Sequence, residues 1–578
     1  MQIERQATDI LILGAGGAGL FAALHAKQAN PDLEVTLAVK GLTGKCGCTR
    51  MVQGGYNVAL NPGDSIERHF MDTIAGGKWL PRQDLAWRLV NGAVETIQEL
   101  ENEVGCFFDR NRDGSLHQKA FAGQSFDRTA HKGDLTGIEI INRLMEQVLA
   151  RDVHRLEEHR AIELIPAADG SGIAGVLMID MRTGGYRLVR AKAVLMARGA
   201  GPTMYLYHTP SGDKACDGLA MALRRGLPLR DMEMVQFHPT GLLGGPGTRM
   251  TGTVLEEGLR GAGGHLLNGA KERFMTAYDP AGERATRDVV SRGIYAEMRA
   301  GRTTPMGGVY IDMRHVENTA DRFPGMVKRC ADCGFDLADG IVEVVPTAHY
   351  MMGGVEMEAD TSSEIPGLFV AGEDAGGVHG ANRLGGNGVA NSTVFGGIAG
   401  TEMAGFVASK RLVPVDETVL DQGVARAERP FSLKPGDLMS LRERLNQLMW
   451  DDVGIMRDAA GLARGAAGLA DLRAELAETG LADGDRAFNL TWHDWMNIES
   501  LIDISEVIVR AAELREDSRG AHFREDFPQT GELEATAFTR IRQAGADLTA
   551  EAVPVTFDIV KPGESLIDGA IGAPTAAE

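Results

Sequence analysis

A glycine loop between a strand-like run and a helix-like run constrains this chain most. Asp9 to Leu13 (DILIL) is apolar and of strand length, Gly14 to Gly19 read GAGGAG, and LFAALHAKQ follows with helical character. Glu34 to Val39 (EVTLAV) reads as a second strand. The spacing Gly14-x-Gly16-x-x-Gly19 in such a βαβ opening permits a tight turn and brings a pyrophosphate close to a helix N-terminus. Strand two ends in Val39-Lys40, with no acid to hold a ribose 2′-hydroxyl, which weighs against a standard NAD site. Glycine is abundant throughout, 74 of 578 residues, clustered in QGGY, GGPG, RGAGG, MMGG and RLGGNG and not in a repeat. Clusters of this kind let a backbone approach a ligand closely, so a large cofactor held mostly by main chain is expected.

The rest of the chain organises around this opening. Trp87 to Cys106 and Gly137 to Asp152 have helical patterns, and Arg187 to Ala197 reads as a late strand ending in RGAG. From about Glu233 to Val345 the βαβ alternation stops, which marks an inserted domain. Leu368 to Gly372 (LFVAG) returns to strand-then-glycine character and should complete the first domain. Pro430 to Glu516 is helical, with Leu441, Leu445 and Leu448 at three- and four-residue spacing. The stretch after Phe527 reads as loop-rich, with GAPTAAE as a frayed tail. The expected division is 1–233 and 349–429 for the nucleotide domain, 234–348 for a cap, 430–530 for a helical domain and 531–578 for an extension.

Composition excludes several classes. A net charge of −21 argues against nucleic acid as partner, since phosphate neutralisation needs a basic face. No apolar run approaches the roughly 18 residues that insert into a bilayer. Met1 to Ala7 is polar and leads straight into a strand, so no signal peptide is expected. Six cysteines in this length make no disulfide framework, and a cytoplasmic setting follows. Cys330-x-x-Cys333 is a single pair, read as two helix-surface thiols with no metal site.

Eight segments together carry a resemblance: ILGAGGAG, QGGYNVAL, DMEMVQFHPTG, LLNGAKERFM, RDVVSRGI, PTAHYMMGG, GVHGANRLGGN and SRGAHFREDFP. In that order, from Asp9 to about Pro528, the chain resembles the flavoprotein subunits of succinate dehydrogenase and fumarate reductase, whose relatives include L-aspartate oxidase. The resemblance implies an α/β fold: a Rossmann-like FAD-binding domain with an inserted α+β capping domain, followed by a helical domain. It implies Gly14, Gly16 and Gly19 at the FAD pyrophosphate, and Gln53, Gly54 and Gly55 along the isoalloxazine. Glu373 falls on the ribityl side and Asn387 at the pyrimidine edge, with Gly388, Lys40, Cys48 and Thr49 also at the cofactor. His238, His349 and Arg383 match substrate carboxylate holders, Arg287 matches the proton donor, and Glu257 with Arg260 matches its relay. Phe121 and Glu256 are assigned to the substrate side. His379 and His522 are read as structural hydrogen-bonding residues. The implied reaction is FAD-dependent hydride transfer at a carbon next to a carboxylate, of the CH–CH donor class, on a dicarboxylate or related substituted acid. An aspartate-oxidase-like amino-acid oxidase and a flavin-bound subunit without turnover are the alternatives. With no cysteine cluster of iron–sulfur spacing, electrons would pass through a separate iron–sulfur subunit, which would also make any membrane contact.

The departures matter as much. Cys48 stands where membrane-complex members carry the histidine that bonds to flavin. FAD is therefore expected to be non-covalent, with a Cys48 thioether as the alternative. Arg50 and Arg198 replace small or apolar residues, and Gly388 replaces a serine. Glu256 occupies the place of a Thr or Ser whose hydroxyl donates to substrate, and a carboxylate there can only accept. Glu256 could be protonated, could pair with an arginine such as Arg249, or could serve a substrate bearing a donor group. The last reading is preferred.

Overall fold

A computed structural model describes residues 2–245, 248 and 250–567; Arg249 and the GAPTAAE tail lie outside the described residues. The strand Glu4–Leu13 ends in an apolar run with no exposure on either face. A strand buried on both faces loses its alternation, which is why DILIL is continuous. It pairs in parallel with Val35–Ala38 on one side and Gly185–Met196 on the other. Val153–Leu156 extends the sheet beyond Val35–Ala38. Leu368–Val370 pairs in parallel with the end of Gly185–Met196, so the sheet is completed by chain that follows the insert. His159–Pro166 and Ile173–Asp180 add an antiparallel meander to the same sheet.

The helix Gly17–Ala29 lies against the long helix Asn387–Val407. Added Cβ atoms at Gly396 and Gly400 would stand 2.5 and 2.3 Å from the carbonyls of Ala18 and Ala22. Glycine there lets the two backbones touch, which seats the N-terminus of the first helix beside the start of the second.

The inserted domain has its own antiparallel sheet, in the order Val235–Leu242, Ile341–Met351, Val309–Asp312, His265–Leu267. Its separate core includes Leu242, Leu259, Ile294, Phe323 and Met326. Cys330 belongs to that core with no exposure, and Cys333 is half-buried just past the helix Pro324–Ala331. This corrects the reading of both as surface thiols: position 330 faces inward on the same helix as Met326, one turn earlier.

Leu438–Asp452, Ala459–Glu478 and Leu490–Leu514 form the helical domain, with Leu441 and Leu445 fully buried. The loop-rich reading of the last stretch is corrected. Ala537–Ala544 and Asp547–Pro554 form an antiparallel hairpin closed by Gly545-Ala546, with Gly545 at φ +66°. Its first strand pairs with Leu229–Arg230, just ahead of the cap. Among the described residues, no helix is long and apolar enough to cross a membrane.

Candidate active site

A cavity of about 570 Å³ runs from the glycine loop, between the nucleotide domain and the cap, to His238, Arg287, His349 and Arg383. Its size falls in the range of cofactor and ligand sites. At the loop, Gly14 has φ +108°, and a Cβ there would lie 2.2 Å from the Ala197 carbonyl oxygen. Gly19 does not line the cavity; a Cβ on it would lie 1.9 Å from the Gly14 oxygen, so it closes the helix onto the loop. Gly16 differs. A Cβ there would meet only Thr49 Oγ1, at an ordinary 3.5 Å. The protein itself does not demand glycine at position 16, whereas a phosphate close to the helix N-terminus does. The loop therefore fits the pyrophosphate of FAD.

Lys40 lines this end and reaches the Asp217 carboxylate at 3.2 Å. Arg160 stands 3.8 Å from the same carboxylate, and Arg198 is also bonded to it. Burial, above all, pushes the Lys40 ammonium down to about 8. Burial would raise the Asp217 carboxyl, but Arg198, Lys40 and Arg160 hold it below the usual range. Three cations around one carboxylate leave the wall positive, which suits a pyrophosphate dianion.

The middle of the cavity is lined by Cys48, Thr49, Gln53, Gly54, Gly55, Glu373 and Gly388. Thr49 Oγ1 accepts the Gly17 N–H at 3.1 Å, tying the Cys48–Met51 turn to the loop. Burial first, and the Glu373 carboxylate second, push the Cys48 thiol up to about 12. Burial also pushes Glu373 up to about 7, against the Met351 N–H that its carboxylate accepts at 3.0 Å. The Phe121 ring occupies the space a Cβ on Gly54 would need, and the Arg383 guanidinium the space a Cβ on Gly388 would need. Asn387 lies between Gly386 and Gly388, which line the cavity, and its side chain is turned into the protein. Its amide is taken up by Asn57 at 2.8 Å, His69 at 3.0 Å and Thr73 at 3.2 Å, a buried knot that fixes the start of its helix.

At the far end the cap supplies the polar groups. Strand Val235–Leu242 faces strand Ile341–Met351 with a register shift: Gln236 opposes Tyr350 and Phe237 opposes Ala348, leaving His349 as the extra residue. A bulge of this kind re-aims a side chain, here into the cavity wall beside His238, ring centroids 5.5 Å apart. Arg287 opens the helix Arg287–Arg299, where a cation runs against the helix dipole. Its ion pair with Glu257, Nε to carboxylate 2.8 Å, offsets that cost. Gln236 accepts from Arg287 at 3.0 Å and from Arg383 at 3.1 Å, so two guanidiniums share one amide oxygen. Burial first, and Arg287 second, push Arg383 down to about 10; its Nε has no partner among the described residues. Burial would raise the Glu257 carboxyl, but Arg287 and Arg260 hold it below its ordinary value. Both His238 and His349 are held well below the ordinary histidine range, by burial first and Arg287 second, so they are neutral. Arg260 stands behind the wall and not in it, 3.9 Å from Glu257, donating to the Glu283 carbonyl at 2.7 Å.

Glu256 lines the cavity, and its carboxylate pairs with Lys119 at 2.8 Å. Burial raises the Glu256 carboxyl above its ordinary value, with Lys119 opposing the shift. The partner is a lysine from the two-residue strand Gln118–Lys119; of the three readings of Glu256, pairing with a cation was the one that named an arginine such as Arg249. His379 bonds the Tyr350 hydroxyl at 3.4 Å, and His522 bonds Arg457 at 2.8 Å.

Gln236 and Lys119 are the residues that sequence reasoning missed. Gln236 carried a usable signal, two places before His238 on one strand. Lys119 carried none.

Two family models match the chain: an FAD binding domain over residues 9–389 and a fumarate reductase flavoprotein C-terminal region over 442–566. A CoM/CoB-type fumarate reductase chain of Methanothermobacter marburgensis is 38% identical over 537 residues, covering 92% of this chain and 96% of that protein. An uncharacterized FAD-dependent oxidoreductase of Methanocaldococcus jannaschii is 40% identical over 534 residues, covering 91% and 94%. Among solved structures, a mutant of E. coli quinol fumarate reductase FrdA superposes with a TM-score of 0.90 at 31% identity, covering 97% of this chain and 99% of that one. These relatives lend no support to an amino-acid oxidase or to a protein without turnover. The chain belongs to the fumarate reductase and succinate dehydrogenase flavoprotein family, and it is an FAD-dependent oxidoreductase.

Proposed function

We propose that the chain interconverts a carbon–carbon single and double bond next to a carboxylate, with the substrate held between the FAD domain and the cap. The observation that carries this reading is the pair of guanidiniums, Arg287 and Arg383, sharing the Gln236 oxygen against a single carboxylate, Glu257. A buried excess of positive charge is costly unless an anion completes it. A carboxylate also suits the fork geometry of arginine.

FAD, when bound, supplies two-electron hydride chemistry on one face of the substrate. The chain's own groups supply the rest. Arg383 and His349 hold a carboxylate and orient the reacting carbons. His238 Nδ1 accepts the Thr240 N–H at 3.3 Å, so in the neutral ring the proton sits on Nε2, available to a substrate oxygen. Arg287 gives a proton to the carbon that becomes basic. Glu257 passes on the replacement, with Arg260 behind it. Closure by the cap keeps water out. Electron exchange is assigned to a separate iron–sulfur subunit in the cytoplasm, and any membrane attachment to such partners.

Anaerobic titration of the oxidised holoprotein with saturated carboxylates tests this. A saturable change in the flavin spectrum, lost in Arg383→Met, is expected; no change with any carboxylate contradicts it. The flavin is proposed to be non-covalent, because a thiol held near pKa 12 is almost all protonated and a poor nucleophile. Acid denaturation should release all of the FAD. Flavin fluorescence that stays with the denatured chain, and disappears in Cys48→Ala, would establish a thioether instead.

A further inference from the structure

Glu256 is a buried carboxylate in the cavity wall, next to Glu257, whose own carboxylate is taken up by Arg287. Its residue is 3% exposed. Lys119 donates to Oε1 at 2.8 Å and to the Gly133 carbonyl at 3.1 Å, and does not itself line the cavity. Lys119 therefore favours the ionised form of Glu256 without offering a cation to a ligand. The other carboxylate oxygen has no hydrogen bond among the described residues. The residue before Glu256 is also tied to the segment that carries His238. The Leu255 N–H donates to the Thr240 carbonyl and the Thr240 hydroxyl donates to the Leu255 carbonyl, both at 2.9 Å, which locks the 238–240 segment against 255–256. His238 and Glu256 both line the same cavity.

A ligand group meeting both residues must accept from His238 Nε2 and donate to Glu256. A carboxylate only accepts, and leaves two anions facing each other. An ammonium only donates, and gives His238 nothing. A carboxamide does both, its oxygen to His238 and its NH₂ to Glu256. We infer that the substrate carries one carboxylate, held by Arg383 and His349, and a distal carboxamide-like group held between His238 and Glu256, in place of a second carboxylate. This rests on the reading above and narrows its substrate class.

The test compares succinamate and succinate as ligands of the oxidised holoprotein, with Kd taken from the anaerobic flavin difference spectrum. The wild type should bind succinamate at least about tenfold more tightly, because buried groups left unpaired or facing like charge discriminate strongly. Glu256→Thr, whose neutral hydroxyl can donate, should erase or invert that ratio. Glu256→Gln provides a second neutral variant should the threonine protein lose flavin. Equal or tighter binding of succinate by the wild type overturns the inference and leaves the proposed function intact. An unchanged ratio in both variants does the same. Failure of both ligands to perturb the flavin removes the proposed function, and this inference with it.

Discussion

Arg287→Ala should lower kcat by about three to four orders of magnitude while weakening carboxylate binding far less, the pattern of a group needed in the transition state. The reason is positional. Arg287 spans Glu257 on one side and Gln236 on the other, within hydrogen-bond reach of both. Alanine leaves Glu257 buried with Arg260 only at 3.9 Å, and leaves no proton donor at that point of the wall. Arg287→Lys should be nearly as damaging, since a compact ammonium cannot serve both partners of a planar fork. Glu257→Gln should act through the same unit, so that combining it with Arg287→Ala costs little more than Arg287→Ala alone. Stopped-flow reoxidation of the reduced flavin by an unsaturated acid measures all three. Near-normal turnover in Arg287→Ala would remove Arg287 from the chemistry.

Gly14→Val should yield protein without flavin. The residue sits at φ +108°, where side chains are strained, and the new Cβ would fall 2.2 Å from a backbone oxygen of Ala197. Nothing flexible can yield, because that oxygen belongs to the backbone just past the neighbouring parallel strand, held by the Ala197 N–H donating to the Leu13 carbonyl. Gly105→Ala separates strain from overlap: its φ is +87°, and its Cβ would meet nothing within 4 Å. It should cost only about 1 kcal/mol and keep its flavin. The ratio of flavin to protein absorbance after purification distinguishes the two. A full complement of FAD in Gly14→Val would show that the loop does not shape the pyrophosphate site.

The parts legible in the sequence were those whose reasons are local. A continuous apolar run, a glycine loop and a helical run within twenty residues specify the βαβ opening, because each element's signal lies inside the element. The return of the sheet at Leu368 was legible for the same reason. The meander of His159–Pro166 and Ile173–Asp180 was not assigned: its strands are buried almost throughout, so they show no alternation to separate strand from buried helix. The C-terminal hairpin failed the opposite way. Asp547–Pro554 is largely exposed and mixes Asp547, Thr549 and Glu551 with small or apolar residues, and only Gly545-Ala546 marks the turn. In the site, the glycines and the His238 segment could be placed from their neighbours. Lys119 against Glu256 joins residues 137 apart through a strand of two residues, and no periodicity reports such a pairing. The knot of Asn387 with Asn57, His69 and Thr73 was not legible either, because it joins residues more than 300 positions apart.

One measurement bears most directly on the claim that a single cavity brings flavin and an unsaturated carboxylate together. The holoprotein is reduced anaerobically, mixed with fumarate and in parallel with its monoamide, and flavin reoxidation is followed in the wild type and in Arg287→Ala. Rapid reoxidation by at least one of the two acids in the wild type, slowed by about a thousandfold or more in the variant, is the predicted result. Flavin that stays reduced with both acids, or that reoxidises equally fast without Arg287, would contradict it.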